Sequence, residues 1–176
     1  MAELTNRQPA PPLAAAGVRT SPLIVAMALL PFGLGYFLSY LFRAVNAVVA
    51  PDLVRELRLD AGQLGLLTAA YLFGFSLFQL PLGILLDRYG PRRVQAILMT
   101  IAAAGTLLFS LGDNAATLTI ARGMIGLGFA GGLMAALKAV VIYVPEARRT
   151  LAGACVMSLG GIGLMVSTTP MEWVVE

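Results

Sequence analysis

Residues 83–93 read GILLDRYGPRR, a short run that places one aspartate and three arginines directly after a long apolar stretch. Gly83 lacks a side chain and lets a neighbouring helix come close, and Gly90 permits a tight turn. Pro91 suits the first turn of a following helix. Asp87 stands among Arg88, Arg92 and Arg93 where the apolar stretch ends, so the run reads as a turn between two helices at the edge of an apolar medium. Composition says which medium. Of 176 residues 59% are hydrophobic and 12% charged, whereas soluble domains carry about a quarter of charged residues. The medium is a lipid bilayer.

An ionised side chain at the bilayer centre costs roughly 2.5–3.5 kcal/mol on insertion scales, so charges divide the chain into spans. Uncharged runs occupy residues 20–42, 61–86, 94–112 and 150–171, and a further run at 114–145 is interrupted by Arg122 and Lys138. About 20 apolar residues suffice to cross. The expected fold is an all-α polytopic membrane protein with five transmembrane helices, at roughly 22–50, 61–86, 94–112, 115–144 and 150–171. Basic residues favour the cytoplasmic side. Arg7 and Arg19 in the tail, Arg88, Arg92 and Arg93 after helix two, and Arg148 and Arg149 after helix four therefore predict a cytoplasmic amino terminus. Arg55 and Arg58 fall on the other side against this rule, accompanied by Asp52, Glu56 and Asp60. Residues 1–21 contain PAPPLAAAG and lack an apolar run, which predicts a flexible cytoplasmic tail.

The chain contains no His and one Cys, Cys155, so the commonest general base and a leading metal ligand are missing. No close pair of carboxylates is present either. These absences argue against an enzyme, and no cofactor, metal or nucleic-acid partner is expected. Residues 122–132, RGMIGLGFAGG, carry Gly126, Gly128 and Gly131 at dinucleotide-fingerprint spacing. A phosphate cradle needs a preceding strand and an acidic residue about 20 positions on, whereas this segment lies within an apolar span. The expectation is helix packing, with Gly126 facing a neighbour and Gly128 and Gly132 forming a small-xxx-small pair.

Gly83, Asp87, Arg88, Gly90, Arg92 and Arg93 together resemble the signature loop of the major facilitator superfamily. The resemblance extends along the chain: GQLGLLTAAYLFGFSLFQLPLG before the loop, Arg122 followed by Gly126, Gly128 and Ala130, and VPEARR before helix five are similar to other parts of that family. It implies a secondary transporter built of two six-helix halves that rock about a central cavity, with the loop around Asp87 as a gating motif that latches against the other half. Five spans match an incomplete amino-terminal half. A truncated or partial transporter is therefore expected, needing a missing carboxy-terminal half or another subunit to complete its cavity. The expected location is a bacterial inner membrane.

Within the membrane, Arg43 lies about 13 Å along the helix from Asp52 at a 1.5 Å rise per residue. Arg122 lies at a similar depth, measured from Asp113. Two guanidinium groups at matching depth predict a shared substrate-binding cavity, since arginine suits bidentate capture of carboxylate or phosphate. Asn46, one turn from Arg43, is the third candidate ligand. The alternative for Arg122 is a tie to backbone carbonyls, and for Arg43 outward snorkelling. Tyr40, Tyr71 and Gln79 offer neutral hydrogen bonds to a substrate but read first as helix fasteners, and Lys138 as a side chain extending to the headgroups. YLFRAVNAVVAPDL (40–53) further resembles the organic anion:cation symporter branch. Phe42 and Phe129 stand where that branch carries acidic residues, so its proton carriers are absent here. The expected function is transport of a small organic or inorganic anion; the alternative is a non-transporting membrane fragment or interaction module.

Overall fold

The computed structural model describes residues 22–175, with side chains described outside 22–26, 45–47 and 168–175. The tail expected at 1–21 lies outside the described residues. The helices are α1 (Pro22–Leu57), α2 (Ala61–Tyr89), α3 (Pro91–Ser110), α4 (Ala115–Phe129), α5 (Gly132–Tyr143) and α6 (Arg149–Val175), with one 3-10 turn at Glu146–Arg148. Among the described residues there is no strand. Five stretches of the described residues are long and apolar enough to cross a membrane, α4 and α5 together forming the fourth. The protein is an all-α polytopic membrane protein with five spanning segments.

Local chemistry explains the boundaries. Asp60 opens α2 with a reciprocal cap: its carboxylate accepts from Gln63 N at 2.7 Å, while Gln63 Oε1 accepts from Asp60 N at 2.9 Å, satisfying two donors that a helix start leaves free. Asn114 caps α4 in one direction, accepting from Thr117 N at 2.9 Å. Gly90 joins α2 to α3 at φ 78°, a left-handed conformation that glycine adopts without strain, and Pro91 begins α3 as expected.

Two boundaries differ from the sequence reading. The apolar run predicts an end to helix one near residue 50, but the helix continues through Pro51 to Leu57. Proline forfeits one backbone hydrogen bond; the added turns are held by Leu53, which is buried with Leu59, Leu67 and Leu118. Arg58 then ends the helix at φ 52°, a conformation costly for a residue with a Cβ. Arg58→Gly is accordingly expected to raise stability by up to about 1 kcal/mol, less the entropy glycine adds to the unfolded chain. Thermal melting in detergent checks this, and a lower midpoint would mean that the Arg58 side chain itself contributes to the fold. Helix four, expected as one element over 115–144, is interrupted at Ala130 and Gly131 between α4 and α5.

The α4–α5 span is the central element, the most buried of the five spans. α4 packs on α2 and α3, while α1 packs on α6 and α5. Lipid tails are as apolar as leucine, so close backbone approach rather than solvent exclusion holds such helices together. Small residues provide it. A Cβ at Gly126 would overlap the Tyr71 carbonyl of α2, one at Gly74 the Gly123 carbonyl of α4, and one at Gly128 the backbone of Ala102 in α3. Gly132 faces Tyr36 and Ser39 of α1 instead. The expected Gly128–Gly132 pair is therefore corrected: the break between them sends these glycines to different neighbours. On α6, Gly160 admits the Tyr36 ring and Gly163 the Phe37 carbonyl.

Candidate functional site

The interruption of helix four opens a cavity of about 220 Å³ between α1, α2 and the α4–α5 junction. One face of α1 contributes Tyr36, Ser39, Tyr40 and Arg43, recurring at helical spacing, and α2 contributes Phe75 and Gln79. The junction adds Phe129, Ala130, Leu133 and Met134. Tyr36 donates its hydroxyl hydrogen to Tyr40 Oη at 3.3 Å, with the rings edge to face. Arg43 carries the charge. Its guanidinium carbon lies 5.1 Å from the Phe75 ring centroid and 5.5 Å from that of Tyr40, so two aromatic faces hold the cation in place. The side chain remains exposed, and among the described residues no carboxylate lines the cavity.

The junction is itself stabilised from this cavity. Ending α4 at Phe129 frees the Ala130 carbonyl from the helical ladder, and an unpaired buried carbonyl is costly in lipid. Gln79 Nε2 donates to it at 3.2 Å. The sequence reading of Gln79 as a helix fastener did not include this carbonyl, because nothing in AGG between two apolar runs distinguishes a broken helix from a continuous one.

The structure does not bring Arg43 and Arg122 into a shared cavity. Arg122 is only 2% exposed, its guanidinium stacks 4.7 Å from the Phe109 ring centroid, and Nη1 donates to the Phe42 carbonyl at 3.5 Å. Phe42 and Phe129, with ring centroids 5.3 Å apart, belong to the same apolar cluster as Tyr71. Arg122 ties α4 to the α1 backbone, and its Nε has no hydrogen-bond partner among the described residues. A buried cation without a counter-ion adds little net stability. Arg122→Met is therefore expected to melt at or above the parent temperature, whereas a fall of several degrees would make the guanidinium a structural keystone. Asn46 lies in α1, one turn from Arg43; its side chain is outside the described residues.

At the α2–α3 turn, Asp87 accepts a hydrogen bond from the Lys138 ammonium of α5. This replaces the expected reach of Lys138 to the headgroups. The Met134–Lys138 face of α5 is turned toward α2, bringing the ammonium to a carboxylate. Gly83 is exposed, and a Cβ there would meet nothing within 4 Å. Arg88 stacks on its neighbour Tyr89 at 5.4 Å, while Arg92 and Arg93 are exposed on the first turn of α3.

A family model described as Major Facilitator Superfamily matches residues 32–174. Among curated proteins, the chain is 29% identical over 128 residues to a protein of Cupriavidus necator named as a probable sulfoacetate transporter, covering 73% of this chain and 30% of that protein. It is 29% identical over 142 residues to the hexuronate transporter of Escherichia coli K12, covering 81% of this chain and 33% of that one. It is also 32% identical over 122 residues to the multidrug resistance protein Stp of Mycobacterium tuberculosis, covering 69% and 23% respectively. The chain thus spans a third or less of the length of these relatives.

Proposed function

Because the chain belongs to the Major Facilitator Superfamily and is an integral membrane protein, we propose that it forms part of a secondary transporter that carries a small organic anion by alternating access. Arg43 is the anion-binding group in this reading. The observation that carries it is a guanidinium that is exposed at the cavity, clamped by Tyr40 and Phe75, and free of any carboxylate lining the same space. Clamped on two aromatic rings, a guanidinium offers parallel N–H donors in a fixed plane, which suits a carboxylate or sulfonate. Two of these relatives are named for anionic solutes, which supports the same class. The distribution of arginines supports a cytoplasmic amino terminus and Asp87 turn, and in this reading a further set of helices completes the cavity.

The aromatic lining and the relative named for multidrug resistance favour a second reading, in which the cavity takes apolar or cationic drugs. One measurement separates them. Saturable binding of sulfoacetate or a hexuronate to protein in liposomes, with no competition from lipophilic cations, supports the anion reading. Binding of the cations alone overturns it.

A further inference from the structure

Gln79–Ala130 and Asp87–Lys138 are two rungs of one ladder. Each joins residues 51 positions apart, so the rungs lie eight residues apart on both helices, which is about 12 Å along each axis. Between them the helices are separated by a cleft of about 400 Å³ lined by Gly83, Leu86, Met134, Leu137 and Val141. Gln79 and Met134 line both this cleft and the Arg43 cavity. One rung therefore sits at the anion cavity and the other at the membrane boundary. α5 begins just after the helix break, and such interruptions are where a helix can change direction.

We propose that Gln79 is a positioning residue that couples occupancy of the Arg43 cavity to the Asp87–Lys138 pair. The inference rests on the reading of that cavity as an anion site. Gln79 Nε2 is the amide donor nearest the junction and belongs to the cavity wall. An anion held by Arg43 competes with the neutral Ala130 carbonyl for that donor, and hydrogen bonds to charged acceptors are the stronger. Transfer of the amide to the anion releases the Ala130 carbonyl and with it the upper tether of α5. The helix then pivots at the break, and the lower rung, with both side chains reachable by solvent, is the contact it strains. The pair is suited to this use because an exposed ion pair is weak enough to exchange.

The test uses a reporter cysteine at Val141, an exposed position in the cleft, with Cys155→Ser to remove the one native thiol. In liposomes, saturating sulfoacetate or a hexuronate is expected to change the maleimide labelling rate at Val141→Cys by about fivefold or more, the lower end of ordinary coupling between sites. Adding Gln79→Met is expected to abolish that change, with labelling read at a probe concentration that saturates the variant in its own binding curve. Should the methionine variant fail to fold, Gln79→Asn, whose neutral amide is one methylene too short for the Ala130 carbonyl, is expected to uncouple in the same way. An unchanged labelling response in a Gln79 variant that still binds the probe overturns the coupling alone. No probe binding to the parent removes the coupling together with the anion reading.

Discussion

Arg43→Gln is expected to weaken binding of a small organic anion by about 10- to 100-fold, the range that follows from losing a charge-assisted hydrogen bond worth about 1.5–3 kcal/mol. Glutamine keeps much of the length and hydrogen-bonding capacity but has no charge. The cavity around it offers hydroxyls from Tyr36, Ser39 and Tyr40 and the amide of Gln79, none of them cationic. Arg43→Lys is expected to fall between parent and glutamine variant: the charge remains, but a lysine ammonium is a point donor without the planar fork and stacks less well on Phe75 and Tyr40. Equilibrium binding to protein in liposomes reads both variants. Parent-like affinity in Arg43→Gln would show that the anion is held elsewhere and would remove the cavity from the proposed mechanism.

Gly126→Ala is expected to destabilise the bundle by about 1–3 kcal/mol, the usual result of adding a methyl where backbones already touch. The added carbon would overlap the Tyr71 carbonyl, and the same crossing leaves no room at Gly74, whose Cβ would meet the Gly123 carbonyl. α2 and α4 must separate, carrying with them the apolar cluster of Tyr71, Ile125 and Phe129. Gly65→Ala and Gly161→Ala are the controls, because a Cβ at either position meets nothing within 4 Å. Alanine is the better helix former by about 0.5–1 kcal/mol, so these two are expected to melt at or slightly above the parent. Equal midpoints for Gly126→Ala and the controls would refute the close crossing.

The spans were legible in the sequence because each charge in lipid is costly, leaving apolar runs whose length alone declares a crossing. The turn at Gly90–Pro91 was legible for a similar reason, since glycine and proline act through their own backbone. The site was only partly readable. Arg43 stood out as a charge inside a span, but its partnership with Phe75 depends on how α1 faces α2, and no periodicity reports that. Arg122 looked equivalent by depth and differs by azimuth: it points into the bundle among Phe109 and the Phe42 carbonyl. Depth follows from counting residues. Direction follows from packing.

By itself the sequence determined that this protein is a bundle of apolar helices turning at GILLDRYGPRR, because the bilayer acts on each residue separately and the transfer free energies add up along the chain. Only the tertiary structure decided that helix four breaks at Ala130, that Gln79 captures the freed carbonyl, and that Lys138 meets Asp87 rather than the lipid surface. Both contacts join groups 51 residues apart in the chain, brought within bonding distance only by the packing of α2 beside the α4–α5 span. A local rule can place a polar group in a span; which partner it finds is a property of the assembled helices.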